Sequence, residues 1–225
     1  MNPYDHARSS AALHGGSWQD YHRLHSWFDE TKAALCHFTH RALRHHTQGI
    51  EEAVRVFGAT ITNGDGACIP VSGLGRQHMD EDCQHVPDAT EWLIDFRPPD
   101  WMPARDDSNV HDLADLSARR FGGAAETYLP LHRWFLETRT WAGGLEHLLF
   151  RHHSFGIFEA EARFGPILTD GANTVPTRVV AERHVQTVLG RVPAAADWLR
   201  RIKGSRWMLQ ATNARKLGLD ARSAA

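Results

Sequence analysis

The sequence predicts a mainly α-helical protein made of two tandem homologous helical units, each with a small β-hairpin, packed as a pseudo-twofold pair. Three observations predict this fold class: apolar residues recur every three or four positions over most of the chain, two short stretches alternate instead, and the chain repeats itself. We expect the two units to pack as a pair because duplicated domains often preserve the contacts of a homodimer.

The repeat appears when the chain is compared with itself. YHRLHSWFDET (21–31) aligns with YLPLHRWFLET (128–138), and RHHTQGIEEAVRVFG (44–58) aligns with RHHSFGIFEAEARFG (151–165), both at an offset of 107. VPDATEWL (86–93) aligns with VPAAADWL (192–199) at an offset of 106. The predicted divisions are repeat 1 at 1–97, a linker at 98–107, a diverged repeat 2 at 108–203, and a basic C-terminal tail at 204–225 that has no counterpart in the first copy.

The order of elements follows from the pattern within the first copy. Helices are predicted at 4–13 and 18–35, followed by one long helix at 36–57 that ends at Gly58. ATITNGDGACIPV (59–71) alternates around Asn63-Gly64, which predicts a hairpin. Two short helices are expected at 74–84 and 88–96, with Pro87 just before the second. The second copy repeats this plan.

The composition bounds the function. The formal net charge of −2 disfavours nucleic acid as the main partner, although a local basic patch is compatible with it. No apolar run is long enough to span a membrane. Three scattered cysteines without CxxC spacing indicate reduced thiols and a cytoplasmic protein. Since the repeats are expected to pack on each other, a monomer or a simple dimer is predicted.

The unusual feature is the number of histidines, 16 in all. Several of them are kept in both copies, which indicates a constraint shared by the two repeats. The kept polar pairs are His25/His132, His40/His147, Arg44/Arg151, His45/His152, His46/His153 and His78/His184. Metal binding, acid–base chemistry, phosphate binding and packing all remain open as explanations.

The first copy keeps carboxylates that the second has lost. His25 and Asp29 are four residues apart on a predicted helix, a spacing that suits two ligands to one metal or a carboxylate that orients a histidine. The second copy has Leu136 in place of Asp29, and Asp80 and Asp82 are replaced as well. We therefore expect any active site in the first copy and a degenerate set in the second.

Each candidate residue has a predicted role. The metal ligands are His25, Asp29, His46 and His78, and the ion is a divalent transition metal, namely zinc, iron or manganese. His45 and His40 are the predicted catalytic acid–base groups. Arg41 and Arg44 are predicted to bind an anionic substrate, because arginine is the preferred phosphate clamp.

Packing is the competing explanation for several of these residues. His46 and His153 fall on the apolar stripe of the predicted long helix, where a satisfied core histidine is the commoner role. No HExxH or CxxC spacing is present. A kept run of Arg, His and His is nevertheless a costly way to build a core.

The chain resembles a small uncharacterised family found in bacteria and their phages. The resemblance is carried by HFTHRALRHHTQGI (37–50), FGATITNGDG (57–66) and VPDATEWL (86–93), which contain an F-x-H-R-A-L-R-H-H-x-x-G-I core followed by a hairpin turn. It implies a fold without an activity, and this chain departs from single-unit members by its duplication.

Two functions from different classes follow. One is a metal-dependent hydrolase acting on a phosphate-bearing small molecule or nucleotide, with its site in repeat 1. The alternative is a non-enzymatic binding or scaffold protein, such as a phage–host interaction factor, in which histidine networks fix helix packing. A nucleic-acid binder is disfavoured by the near-neutral charge.

Overall fold

The computed structural model describes residues 1–219, which form two units built to one plan. Unit 1 contains Met1–Asp95 together with the chain from Ile202 onward, and unit 2 contains Phe96–Arg201. Each unit is mainly α-helical and carries one small antiparallel hairpin, as predicted. The pseudo-twofold packing of the units stays a prediction. The end of the predicted tail, residues 220–225, lies outside the described residues.

Unit 1 combines α-helices with one hairpin whose strands are largely exposed. The α-helices and strands are α1 (Pro3–His14), α2 (Trp18–Asp29), α3 (Thr47–Phe57), β1 (Thr60–Thr62), β2 (Cys68–Pro70) and α4 (Val71–Cys83). Short 3-10 helices cover Glu30–Ala33, Phe38–Leu43, Ala89–Leu93, Arg206–Leu209 and Ala214–Leu217.

Unit 2 follows the same order, with short α-helices where unit 1 has the 3-10 helices Phe38–Leu43 and Ala89–Leu93. Its elements are α5 (Val110–Phe121), α6 (Ala125–Glu137), α7 (Leu148–Arg151), α8 (Ser154–Phe164), β3 (Ile167–Asp170), β4 (Asn173–Pro176), α9 (Thr177–Leu189) and α10 (Ala195–Leu199), with a 3-10 turn at Thr138–Thr140.

The predicted single helix over 36–57 is wrong, because the chain breaks in front of α3. His46 has an extended backbone and caps α3: its ring Nδ1 accepts a hydrogen bond from the backbone N–H of Gly49 at 3.1 Å. This ring therefore satisfies a helix N-terminal donor in the way that Ser or Asp usually does. In unit 2, His153 caps α8 in the same way, through Gly156.

Gly49 is required by this break. A Cβ at Gly49 would lie 1.9 Å from the carbonyl oxygen of Arg44, and a Cβ at Gly156 would lie 1.9 Å from that of Arg151. The group that approaches Gly49 closely is the preceding turn of the chain. The R-H-H-x-x-G pattern thus encodes a turn and a cap.

The apolar core of unit 1 lies between α2, α3 and α4. Tyr21, Leu24 and Phe28 of α2 pack against Ile50 and Ala53 of α3 and against the apolar residues of α4, among them Leu74 and Met79. Gly75 of α4 lets this helix approach closely, since a Cβ there would lie 3.2 Å from side-chain atoms of Ile50 and Phe28. This packing turns the polar residues of α1, α2 and α4 toward each other.

Two further sequence expectations concern membranes and thiols. Within residues 1–219, no helix combines the length and the apolar character that a membrane crossing requires. Cys36 and Cys68 are exposed, Cys83 is buried, and all three thiols are free. Burial raises the pKa of the Cys83 thiol to about 12, so it behaves as a core side chain.

Candidate metal centre

Three histidines of unit 1 form a continuous hydrogen-bonded chain, which we call the histidine chain. His25 Nδ1 lies 3.0 Å from His78 Nδ1, and His78 Nε2 lies 3.0 Å from His45 Nε2. Ser10 Oγ closes one end at 2.8 Å from His25 Nε2. All three rings are fully buried. The structure thus brings together residues that are up to 53 positions apart in sequence.

The hydrogen bonds assign the tautomers along this chain. Ser10 Oγ donates to Gln77 Oε1 at 2.9 Å, so it accepts from His25 Nε2–H. His25 Nδ1 is then an acceptor for His78 Nδ1–H. The lone pair of His78 Nε2 consequently points at His45, which is the arrangement a metal-ligating histidine needs.

The histidine chain recurs in unit 2 with nearly the same distances. Ser117 Oγ lies 2.9 Å from His132 Nε2, His132 Nδ1 lies 2.8 Å from His184 Nδ1, and His184 Nε2 lies 3.1 Å from His152 Nε2. This chain therefore belongs to the repeat fold and exists without any carboxylate of the kind that unit 1 adds.

A layer of charged residues covers the histidine chain in unit 1; we call it the acidic layer, comprising His6, Asp29, Arg41, Glu81 and Asp82. Asp82 is at its centre and is fully buried. Its carboxylate contacts Arg41 Nη2 at 3.0 Å, His45 Nε2 at 3.3 Å and His6 Nε2 at 3.4 Å, and the amino group of Met1 lies 2.5 Å away. Burial alone would raise its pKa, but the neighbouring imidazoles of His45 and His6 outweigh burial and hold the pKa of Asp82 well below its usual range.

Asp29 approaches the same point from α2. Its Oδ1 lies 3.9 Å from His45 Nε2, while Lys32 Nζ lies 2.8 Å from its other oxygen. Asp29 Oδ1 is buried and forms no hydrogen bond with any described residue, whereas the unpartnered His45 Nδ1 has an equivalent in unit 2, His152 Nδ1, and so belongs to the repeat. Buried polar atoms without a partner are rare in native proteins and point to a missing ligand or water.

His6 joins the layer from α1. Its Nδ1 lies 2.6 Å from Glu81 Oε2, and its ring lies against that of His78 with centroids 3.9 Å apart. Burial lowers the pKa of His6, but the hydrogen bonds to Asp82 and Glu81 raise it more, so the net pKa is above the ordinary value. Asp82 and Glu81 therefore favour the protonated form of His6.

The three imidazoles of the histidine chain are held neutral. Burial, followed by the proximity of His6, lowers the pKa values of His25 and His78 well below the ordinary value, and burial also lowers the pKa of His45 against the pull of Asp82. Neutral imidazoles and an ionised carboxylate are the protonation states in which these groups bind metals.

Among residues 1–219, two groups of side chains can hold a metal ion, and both lie in unit 1. The ligand atoms of Asp29, His45, His78 and Asp82 all lie within 4.8 Å of one another, as do those of His6, His25 and His78. No such group occurs in unit 2 among the residues that the structure describes. The first group contains two of the predicted metal ligands and the predicted base His45, and adds Asp82.

The structure places His40 and His46 outside both groups. His40 Nδ1 is 2.7 Å from Thr31 Oγ1, and burial lowers the pKa of His40 to about 2. His46 caps α3, and its Nε2 lies 3.3 Å from the Leu43 carbonyl oxygen, so both ring nitrogens are engaged. His46 thus serves as a helix cap and is a ligand in neither group.

The predicted substrate-binding arginines are also engaged within the fold. Arg41 is paired with Asp82 and donates to the carbonyl oxygen of Met208 at 3.3 Å. Arg44 stacks on the Trp27 ring at 4.1 Å, donates to the Trp27 carbonyl oxygen and pairs with Glu30 at 3.2 Å. Neither guanidinium is arranged as an open phosphate clamp.

The equivalents in unit 2 show which contacts belong to the repeat. Arg151 lies against Trp134 and Trp141, and His147 Nδ1 lies 3.0 Å from Thr138 Oγ1. His147 Nε2 lies 3.1 Å from Asp106, a residue of the predicted linker. The Thr–His and Arg–Trp contacts thus recur, whereas the Asp106 contact has no equivalent in unit 1 among the described residues.

Sequence reasoning missed His6, Glu81 and Asp82 as site residues. The signal was present in the internal comparison, because His6 corresponds to Leu113 and Asp82 to Val188. A difference between the copies at positions beside shared histidines marks an addition to the repeat. Asp82 belongs to the acidic run Asp80-Glu81-Asp82, which can also be interpreted as a solvent-exposed face, and for this reason it was not predicted as a site residue.

The fold and the centre define a class of protein: a tandem helical repeat with a histidine chain in every unit and a metal-capable cluster in one. The chain belongs to the family described as Domain of unknown function (DUF6915), whose model matches residues 1–102 and again residues 108–208. The two matches agree with a tandem duplication. No curated protein and no solved structure matches the chain.

Proposed function

We propose that unit 1 holds one divalent transition-metal ion between Asp29, His45, His78 and Asp82, and that the protein is a non-enzymatic binding or scaffold protein whose fold this ion stabilises. One observation carries the proposal: four ligand atoms converge within 4.8 Å on residues that are at most 2% exposed. A buried, closed set of four ligands is typical of structural metal sites.

The distances between ligand atoms support coordination. His45 Nε2 lies 3.0 Å from His78 Nε2 and 3.3 Å from Asp82 Oδ2, and His78 Nε2 lies 3.9 Å from Asp82 Oδ2. Neighbouring ligands of a tetrahedral zinc ion are roughly 3.3 Å apart, given metal–ligand distances near 2.0–2.1 Å. Shifts of about 0.6 Å or less would bring these three ligand atoms to tetrahedral spacing, and Asp29 Oδ1, 3.9 Å from His45 Nε2, would move closer by a similar amount.

The chemistry of the ligands favours zinc, iron or manganese. Two imidazoles and two carboxylates suit zinc and ferrous iron, and carboxylates also suit manganese. Further residues orient the ligands, as His25 does for His78 and Lys32 for Asp29. Such outer contacts raise the affinity of a site because they fix its ligands before the ion binds.

Burial favours the non-enzymatic function over the predicted hydrolase. A catalytic metal keeps a coordination position open for water or substrate. Here all four ligands are buried, and Arg41 is committed to Asp82. Hydrolysis of a phosphate-bearing small molecule or nucleotide stays a prediction that requires the centre to open.

Metal analysis of full-length protein purified without a histidine tag tests the proposal. We expect about one equivalent of metal per chain, lost in His45→Gln and kept in the matched control His152→Gln, whose histidine belongs to no metal-capable group of the described chain. Less than about a tenth of an equivalent, with no rise in melting temperature on adding zinc, iron or manganese, would contradict a metal centre.

An assay separates the two functions. Metal-loaded protein is incubated with a phosphomonoester, a phosphodiester and a nucleoside triphosphate, in parallel with the two glutamine variants. We expect no turnover above the His45→Gln background. Turnover that disappears in His45→Gln and persists in His152→Gln would overturn the non-enzymatic function and establish the hydrolase.

The cellular setting belongs to the same proposal. The free thiols and the sequence resemblance support a cytoplasmic protein of bacteria or their phages, with a phage–host interaction as its role. A small anionic ligand is the alternative partner, and inorganic phosphate is the probe. Isothermal titration with phosphate should give no heat of binding, because Arg41 and Arg44 are already paired.

A further inference from the structure

The predicted linker and the predicted tail share a motif. Trp101-Met102 and Trp207-Met208 are separated by the offset of 106 that also relates Trp92 to Trp198. The expectation that the tail has no counterpart is therefore wrong at these positions, and the two family matches, which end at residues 102 and 208, include the motif both times. We call residues 96–107 the first arm and residues 202–219 the second arm.

Each arm packs on the body of the repeat to which it does not belong. Trp207 of the second arm lies against Trp92 of the first repeat, with ring centroids 4.8 Å apart and planes at 68°. Trp101 of the first arm lies against Trp198 of the second repeat, also at 4.8 Å, with planes at 81°. The division of the chain agrees, since unit 1 includes the second arm and unit 2 includes the first.

We infer that the two repeats exchange their arms, so that the surface around Trp92 and around Trp198 is a docking site for the arm of another copy of this repeat. Three observations identify the arm as the segment that docks there: both arms carry a Trp-Met pair, both tryptophans contact the docking-site tryptophan at 4.8 Å, and both lie at the same position relative to the repeat. Exchange of a terminal element between identical protomers is a common route to a homodimer. In this chain the two repeats take the place of the two protomers, and they are joined covalently.

The second arm also closes the acidic layer. Met208, which is 1% exposed, accepts a hydrogen bond from Arg41 through its carbonyl oxygen, and the backbone N–H of Thr212 donates to the Glu81 carbonyl oxygen at 2.6 Å. Arg41 in turn binds Asp82. The second repeat lacks a metal group of its own in the described chain, yet it supplies the segment that seals the centre of the first.

The first arm makes a polar contact of its own in unit 2. Asp106 accepts hydrogen bonds from Arg139 at 3.0 Å and lies 3.1 Å from His147 Nε2. Asp106 stands at the position that Thr212 occupies in the second arm, at the same offset of 106. Both arms therefore touch an aromatic ring and a polar group of the body that they complete.

Hydrogen exchange of the full-length chain, read by mass spectrometry, tests the exchange of arms. Trp207→Ala should raise exchange rates roughly tenfold in α4 and in Ala89–Leu93, and leave α9 unchanged. Trp101→Ala should do the reverse, with faster exchange in α9 and α10. If each substitution loosens the body of its own repeat instead, the inference is overturned.

Conservative variants keep the test decisive if an alanine variant does not fold. Trp207→Phe and Trp101→Phe retain an aromatic contact and should show the same distribution with smaller increases. If either phenylalanine variant raised hydrogen-exchange rates equally in both repeats, the exchange of arms would be contradicted. Each docking site would then not depend on one arm alone.

The sealing of the centre rests on the proposed metal and has its own measurement. Release of zinc to a chelator should be roughly tenfold faster in Trp207→Ala than in wild type and unchanged in Trp101→Ala. Equal release rates would show that the second arm does not close the centre. If the wild-type protein holds no metal, the proposed function is contradicted. The hydrogen-exchange experiment still tests the exchange of arms, because it does not depend on metal.

Discussion

The two repeats bury the same chain of three histidines but surround it differently. In unit 1 the neighbours are charged, whereas in unit 2 the corresponding positions are mostly apolar. The paired positions are His6 and Leu113, Asp29 and Leu136, Arg41 and Leu148, Glu81 and Thr187, and Asp82 and Val188. Leu113, Leu136 and Leu148 are buried where unit 1 buries charge.

This difference separates what the fold needs from what one repeat adds. Unit 2 shows that the histidine chain, the Arg–Trp stack and the histidine cap form without the acidic layer. Retention of histidines in both copies is therefore explained by structure. The acidic layer in unit 1 is not explained in this way, since burying charge is costly and apolar side chains fill the same positions in unit 2.

The largest effect is expected from Asp82→Val, which introduces the residue that unit 2 carries. Removing this carboxylate leaves Arg41 and His6 buried without their partner, and breaking a buried ion pair from one side costs about 3–5 kcal/mol. Urea unfolding of the metal-free protein measures the loss.

The matched control is Asp80→Gln, which also introduces the residue of the second copy. Asp80 is exposed, so we expect a change within about 0.5 kcal/mol. Equal costs for the two substitutions would mean that Asp82 is not the centre of a buried network.

The next prediction converts unit 1 to the composition of unit 2. The combined variant His6→Leu, Asp29→Leu, Arg41→Leu and Asp82→Val should recover most of the stability that Asp82→Val loses, because replacing a whole buried ionic network with apolar residues is often neutral or stabilising. Metal binding should be absent. A variant that remains as unstable as Asp82→Val would show that the units do not share one packing plan.

Acid should weaken unit 2 through its histidines. Burial lowers the pKa values of His132 and His153 to about 4, below the ordinary 6.5. Their stabilising contribution is complete above about pH 6.5 and is lost as the pH falls toward about 4, since only the unfolded chain takes up the protons. Urea unfolding should give a lower free energy of unfolding at about pH 5 than at about pH 7.

Replacing one of these histidines tests the cause. In His132→Asn the loss between about pH 7 and about pH 5 should be smaller by roughly 2 kcal/mol, because one proton-linked group is gone. His6 in unit 1 has a raised pKa and the opposite sign: its contribution is complete below about pH 6.5 and declines as the pH rises through the raised value. An unchanged pH dependence in His132→Asn would reject this account.

The smallest effect concerns a contact that both repeats keep. Thr31→Val and Thr138→Val each remove the hydroxyl that binds His40 or His147, and each should cost about 1 kcal/mol in the free energy of unfolding. Since Asp106 also binds His147, the two costs need not be identical, but both should be far below that of Asp82→Val. Metal content should not change in either variant.

Internal comparison of the sequence predicted much of the fold and part of the centre. It identified the two repeats, the hairpins and the histidines that form the chain, because positions kept in both copies mark shared structure. It failed where periodicity was extended through His46, since a helical pattern does not show that an imidazole caps a helix. It also passed over His6, whose partners Glu81 and Asp82 are distant in sequence.

The sequence by itself determined the mainly helical repeat, its duplication and the restriction of the carboxylates to one copy, because these properties are local patterns of residue type. The tertiary structure alone decided which side chains meet: α1, α2 and α4 bring His6, Asp29, His78 and Asp82 together, and the second arm returns to the first repeat. Long-range contacts depend on packing in three dimensions, which spacing along the chain does not encode.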